Sequence, residues 1–290
     1  MTNLLSNVTV LDLTQRLPGP LAAKQLMDMG AIVLKVSPLN KKDAFEKIEN
    51  ALFNHWYKSF NLGKKIMEID FDKLQGFIDQ SDIIIAPFKL DLSKFKLIEK
   101  SVVYVHGSEN NKPMHDLNAF AKSSSFHLFM QSEAHKKMEK RISPPFLPIA
   151  GIIYANTIAL NALSSYIKTI ETKSTTITNL YLDKSAANIL DLFYTKKLKE
   201  TDEFLFLHNG LYPCYNLYRT SDDHFIALAS IEEHYWKKFC ELFKLSLKIE
   251  DRFDTSDVTF NILIKTFSES TLSSIIQRVG SHDICLTPVE

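Results

Sequence analysis

The sequence predicts an α/β protein, a doubly wound parallel sheet followed by a second, smaller α/β domain. Three observations carry this. A strand–turn–helix–strand unit ends at Val36, and short apolar runs then alternate with helical spacing as far as Val105. Beyond a charged run at Lys196–Glu203, the pattern changes to a hairpin and amphipathic helices. Parallel strands need crossover helices that cover both sheet faces, so their strands read as nearly continuous apolar runs.

Val8–Leu13 is the first such run. Pro18-Gly19-Pro20 reads as a turn, Leu21–Met29 as a helix closed by Gly30 at its C-terminal end, and Ala31–Val36 as the second strand. The Pro-Gly-Pro turn lacks the glycine pattern of a nicotinamide-type phosphate loop. Asp43–Tyr57 is amphipathic, Ile66–Phe71 a strand, Lys73–Gln80 a helix, Asp82–Ala86 and Val102–Val105 two further strands. Ligands of such sheets bind beyond the carboxyl ends of the strands, which singles out Thr14–Pro20, Ser37–Lys42, Pro87–Leu90 and His106–His115. Leu117–Lys140 has helical spacing. After Pro144, Pro145 and Pro148 a long apolar stretch runs to Ile167, a buried helix that begins only after the last proline and is covered on more than one side. Gly151 stands at its entrance, where free backbone N–H groups favour negative charge. Thr176–Leu182 reads as a strand and Lys184–Tyr194 as a helix. Lys196–Glu203 reads as the boundary, dividing the chain into domains 1–200 and 201–290. Leu217–Arg219 and Phe225–Ala229 form a hairpin about Ser221-Asp222-Asp223, followed by helices at Glu232–Phe243 and Thr271–Val279.

Lysine and arginine balance aspartate and glutamate at 34 each, which gives no electrostatic reason to expect nucleic-acid or polybasic membrane binding. The three cysteines, Cys214, Cys240 and Cys285, fit reduced thiols in a cytoplasmic protein better than a disulfide framework or a metal cluster. The N-terminus has neither the basic start nor the apolar run of a signal peptide, and Asn156 and Asn161 argue against a membrane span at Leu147–Leu163.

Several stretches, in order along nearly the whole chain, resemble one family. LDLTQRLPGPLAAKQLMDMGAIVLKV resembles the amino-terminal unit of the family III (CaiB/BaiF-type) CoA-transferases. NLGKKIMEIDF and SDIIIAPFK resemble later segments of the same unit. MHDLN resembles the His-Asp-x-Asn signature of the α-methylacyl-CoA racemase branch. LYPCYNLYRTSDDHFIALASIEEHYWKKFCELFKL and CLTPVE resemble that branch's small domain. The resemblance implies a Rossmann-like large domain that takes coenzyme A or an acyl-CoA as substrate or ligand, with no tightly bound cofactor and no metal. It also implies a dimer, here a homodimer or a heteromer with a full-length homologue. The resemblance places CLTPVE at the close of the small domain, so the family's carboxy-terminal return segment is expected to be missing here.

The resemblance further implies His115 as one proton-transfer group. It places CoA contacts at Leu17, Pro18, Lys64, Lys65, Phe88 and Lys89. Glu232 matches a glutamate that supports the site; it also reads as a helix N-terminal carboxylate stabilised by the dipole. Lys64 and Lys65 read either as a basic patch beside the nucleotide or as a solvated loop. The family's partner for the histidine, an aspartate at the entrance of the long apolar helix, falls on Gly151, so the carboxylate shared by racemisation and acyl transfer is missing and catalysis is expected to be impaired. The family's glycine-rich loop is reduced to HGSENNKP, a common arginine is Ser37, and the Phe-Arg-Pro turn is Phe88-Lys89-Leu90. Tyr215, Tyr218 and Trp236 read as acyl-pocket or core aromatics, and Cys214 and Cys285 as buried thiols.

Overall fold

The computed structural model describes residues 3–39, 43, 45–46, 51–112, 114–123, 126, 147–193, 208 and 210–289. These fall into two compact units. The first takes the described residues up to 126 and from 147 to 193, the second those from 208 onward. The expected boundary at Lys196–Glu203 lies outside the described residues.

The first unit is a six-stranded parallel sheet in the order β3-β2-β1-β4-β5-β6. Its strands are β1 (Thr9–Asp12), β2 (Ile32–Pro38), β3 (Lys65–Ile69), β4 (Ile83–Pro87), β5 (Ser101–His106) and β6 (Thr176–Tyr181). The order reverses between β1 and β4, the switch point at which such sheets open a crevice beyond their carboxyl ends. The central strands are buried on both faces, as their apolar runs require. Ile83, Ile84 and Ile85 are fully buried, each contributing roughly 1.5–3 kcal/mol.

Helix α1 (Pro18–Asp28) begins three residues earlier than the sequence suggests, because Pro18-Gly19-Pro20 is its first turn and not a separate one. Proline fits there because its missing N–H would have no partner in a first turn anyway. A Cβ on Gly19 would lie 2.0 Å from Thr14 Oγ1, so this position admits no side chain. Gly30, at φ 107°, follows the helix as expected. The next helices are α2 (Ala51–Ser59), α3 (Leu74–Asp79), preceded by a 3-10 turn at Phe71–Lys73, and α4 (Asp116–Lys122). Ser123 is extended after α4, so the helix expected over Leu117–Lys140 ends early, and positions 127–140 lie outside the described residues.

Helix α5 (Ile149–Thr172) starts directly after Pro148, as expected. It packs on α1, α4, β5 and β6 and on α6 (Leu182–Leu190). Ser101 Oγ donates to Ala162 O at 3.1 Å, and Ser165 and Thr178 share a hydrogen bond at 2.8 Å. Cover comes from the sheet and from three helices, while among the described residues Leu160 and Ile167 are left exposed.

The second unit is an antiparallel sheet of β7 (Tyr215–Arg219), β8 (Phe225–Ala229) and β9 (Leu286–Pro288). Its core joins Tyr218, Ile226 and Leu228 to α7 (Glu233–Phe243), α8 (Asp257–Ser268) and α9 (Leu272–Val279). Tyr218 and Trp236 are core aromatics with satisfied polar tips: the Tyr218 hydroxyl donates to Pro213 O at 2.6 Å and Trp236 Nε1 to Lys248 O at 2.8 Å. Tyr215 packs against the same core, half-buried. Cys214 is buried, and burial pushes its thiol up to about 11. Cys285 departs from the buried-thiol expectation; it is half-exposed at φ 50°, immediately before the edge strand β9. Helix α8 has no counterpart in the sequence reading, since its run of Val, Thr, Phe and Ile has low helix propensity. Ser256 caps it by accepting from Val258 N–H.

Candidate functional site

Two clefts open at the carboxyl ends of the parallel strands. One, of about 380 Å³, includes Leu17, Pro18, His115, Asp116, Gly151 and Leu182 in its lining. The other, of about 290 Å³, includes Gln15, Ser37, Phe71 and Lys89 beyond β1 to β4. The first volume falls within the range of small-molecule sites, roughly 300–1,000 Å³, and the second just below it.

The first cleft is set by three local decisions of the chain. Pro148 fixes where α5 begins, so that Gly151 falls in its first turn, where its N–H has no partner within the helix. The extended backbone of His115 starts α4, with His115 N–H donating to Asn118 Oδ1 at 3.3 Å. Asp116, one residue on, then turns its carboxylate to α5 and accepts the Gly151 N–H at 2.6 Å. Burial pushes the Asp116 carboxyl above the usual carboxylate range, and the Gly151 and Ala150 N–H groups offset this only in part. A Cβ at Gly151 would lie 3.0 Å from Leu17 Cδ2 and 3.4 Å from Asp116 Oδ1. The space beside Gly151 is therefore narrow, and a carboxylate already borders it.

Beneath the β1–α1 turn lies a second group of charges. Asp12 is fully buried and meets Lys64 Nζ at 3.2 Å and Lys35 Nζ at 3.3 Å. It also accepts from Thr14 N–H at 3.0 Å and from the Thr14 hydroxyl. Burial alone would raise its carboxyl; the two ammonium groups and Thr14 outweigh it and hold it low. Lys64 Nζ donates further to Pro20 O at 2.7 Å and to Asn61 Oδ1 at 3.0 Å, and Lys35 Nζ donates to Thr14 O. Burial pulls the Lys64 ammonium down to about 8 against the pull of Asp12. Lys64 thus differs from the basic-patch expectation: its three donors are spent inside the fold, while Lys65 is exposed at the start of β3.

Phe88 stacks on His106 with ring centroids 5.0 Å apart, and Lys89 Nζ lies 5.7 Å from the Phe88 ring. Lys89 lines the second cleft beside Ser37, and its ammonium can meet an anion there as a point charge. Glu232 stands before α7 in the second unit, exposed and making no capping hydrogen bond with its side chain. The structure therefore brings together His115, Gly151, Leu17 and Pro18 in one cleft, and places Lys89 at another. Asp116, the aspartate of the MHDLN stretch, places its carboxylate at the α5 entrance. Its approach to Gly151 spans 35 positions, and no local pattern encodes it. Among the described residues no group of His, Cys, Asp and Glu could hold a metal ion, and no helix is long and apolar enough to cross a membrane.

The sequence profile described as CoA-transferase family III matches residues 5–290. Among solved structures, the chain is similar to a CAIB/BAIF family protein from Brucella suis, at 16% identity and a TM-score of 0.74, covering 100% of this chain and 84% of that one. It is also similar to Rv3272 from Mycobacterium tuberculosis, at 17% identity and a TM-score of 0.70, over 99% of this chain and 84% of that one. At such identities the structural likeness carries the fold alone. No curated protein matches the sequence.

Proposed function

The chain belongs to CoA-transferase family III, and from that premise we propose that its first cleft binds acyl-CoA thioesters in the manner of the racemase branch, with impaired catalysis. The observation that carries this reading is Gly151. Removing and returning a proton α to a thioester needs an acid and a base on opposite faces of the carbon. Acyl transfer needs a nucleophile. In both chemistries the expected group stands at the entrance of α5, and glycine supplies neither.

On this reading His115 is the remaining proton carrier. Leu17 and Pro18 bound the thioester end, and Phe88 and Lys89 serve the nucleotide end beside the second cleft. Lys65 adds exposed positive charge, and Lys64 supports the β1–α1 turn from below. Glu232 is the support carried by the smaller domain, taken as residues 201–290 beside a large domain of 1–200. The setting proposed is cytoplasmic, as a homodimer or as a heteromer with a full-length homologue.

The test is twofold. Calorimetry with CoA and acetyl-CoA is expected to give heat, and silence at millimolar ligand would remove thioester binding. Deuterium uptake at the α-carbon of 2-methylacyl-CoA substrates in heavy water is expected to stay near the buffer control. Fast exchange would overturn the impairment and direct attention to Asp116 as the working carboxylate.

A second reading is a non-catalytic subunit that binds CoA or a partner protein. It is favoured by the joint change of two segments, Gly151 and the loop reduced to HGSENNKP. Co-purification from the native host with an intact homologue is the outcome expected of it. Isolation of the chain alone counts against it.

A further inference from the structure

Among the described residues lining the first cleft, Arg16 is the one lysine or arginine. Its backbone lies at φ 65°, in the left-handed region that a residue with a Cβ enters only when its surroundings impose it. The imposing group is Asp43. This buried carboxylate accepts Arg16 N–H at 2.7 Å, Phe45 N–H at 2.9 Å and the Tyr57 hydroxyl. Donors from three segments converge on it, so the strained residue is held by a bracket anchored outside its own turn.

The bracket leaves the Arg16 side chain exposed while lining the cleft. Among the described residues no carboxylate pairs with its guanidinium, whereas Asp116, the carboxyl of the lining, accepts the Gly151 N–H. The remaining walls are largely apolar, with Leu17, Pro18, Leu117, Leu147 and Leu182 among them. A plain alkyl acyl group would satisfy those walls and leave the guanidinium to water. An acyl group that ends in a carboxylate satisfies both, since the planar fork of arginine matches two carboxylate oxygens.

We propose that the acyl group taken by this cleft carries its own negative charge, a short chain ending in a carboxylate, and that Arg16 is its receptor. The proposal rests on the thioester reading of the same cleft and names the substrate class within it.

Calorimetry with succinyl-CoA, butyryl-CoA and CoA tests it. Succinyl-CoA is expected to bind about tenfold tighter than butyryl-CoA, the scale of one charge-assisted pair. Arg16→Met should erase that preference, Arg16→Lys should keep part of it, and both should bind CoA itself as the natural chain does. Equal binding of the two thioesters overturns the proposal. So does a preference that survives Arg16→Met, or a loss of CoA binding in that variant, which would make Arg16 a phosphate receptor. The N-acetylcysteamine thioesters of succinate and butyrate, which lack the nucleotide, separate this inference from the reading beneath it. A carboxylate preference there without heat from CoA retires the CoA reading and keeps Arg16. CoA binding without any carboxylate preference does the reverse.

Discussion

Asp12 and Asp116 belong to the same unit and are treated in opposite ways. Asp12 is closed off from water, met by two ammonium groups and two donors of Thr14, and held low. Asp116 borders a cleft, receives backbone N–H groups of α5 and, among the described residues, no cation, and is held high. A carboxylate whose charge is answered from every side is part of the frame. One left half-answered beside a cavity keeps a proton within reach of its surroundings. The contrast separates a carboxylate that holds the frame together from one that borders a cleft.

The sharpest way to break it is Asp12→Asn. Two buried ammonium groups would lose their counter-charge, and removal of one partner from a buried ion cluster costs about 3–5 kcal/mol. Urea denaturation should show a loss of that size; a loss below about 1 kcal/mol, the scale of an exposed pair, would dissolve the distinction. Gly151→Asp comes next. Its Cβ would press on Leu17 at 3.0 Å and bring a second carboxylate beside Asp116. Overpacking of this kind costs about 1–3 kcal/mol, and we expect neither full stability nor restored α-proton exchange. Robust turnover in this variant would locate the whole defect at one residue.

Two pH measurements sharpen the comparison further. Lys64 titrates near 8 in the folded chain against 10.5 unfolded. Between those values the unfolded chain holds the extra proton, so stability rises with pH across that window. Lys64→Met should lack this slope, and equal slopes in both proteins would contradict the burial of the ammonium. Asp116 has the opposite sign and the smaller effect. Its folded value is raised, so its contribution is full below the unfolded value and is lost as pH rises through the folded one. Asp116→Asn should therefore gain on the natural chain between acid and neutral pH, and a difference independent of pH would show that the carboxyl is not perturbed.

The strands of the large sheet were legible because each is a short apolar run bounded by turn residues, and α5 because Pro148 marks its start. The start of α1 was not, since Pro-Gly-Pro is a turn signal except where it forms the first turn of a helix packed against Thr14. Helix α8 was hidden by β-branched residues that packing of Leu263 and Phe267 overrides. Of the first cleft, His115 and Gly151 were singled out from local motifs, and both line it. The seat of Asp116, the burial of Lys64 and the bracket on Arg16 were not, because each joins residues brought together only by the crossovers of the sheet.

The Tyr154 hydroxyl, three residues after Gly151, accepts from His106 N–H at 3.0 Å and donates to Leu180 O at 2.6 Å, pinning α5 to the ends of β5 and β6. A helix free to slide could admit a new side chain at its first turn by shifting lengthwise. This one is fastened one turn in, so room at position 151 can come only from its neighbours. A side chain at position 151 therefore meets Leu17, whose Cδ2 would lie 3.0 Å from the added Cβ and has to give way while the helix stays fixed.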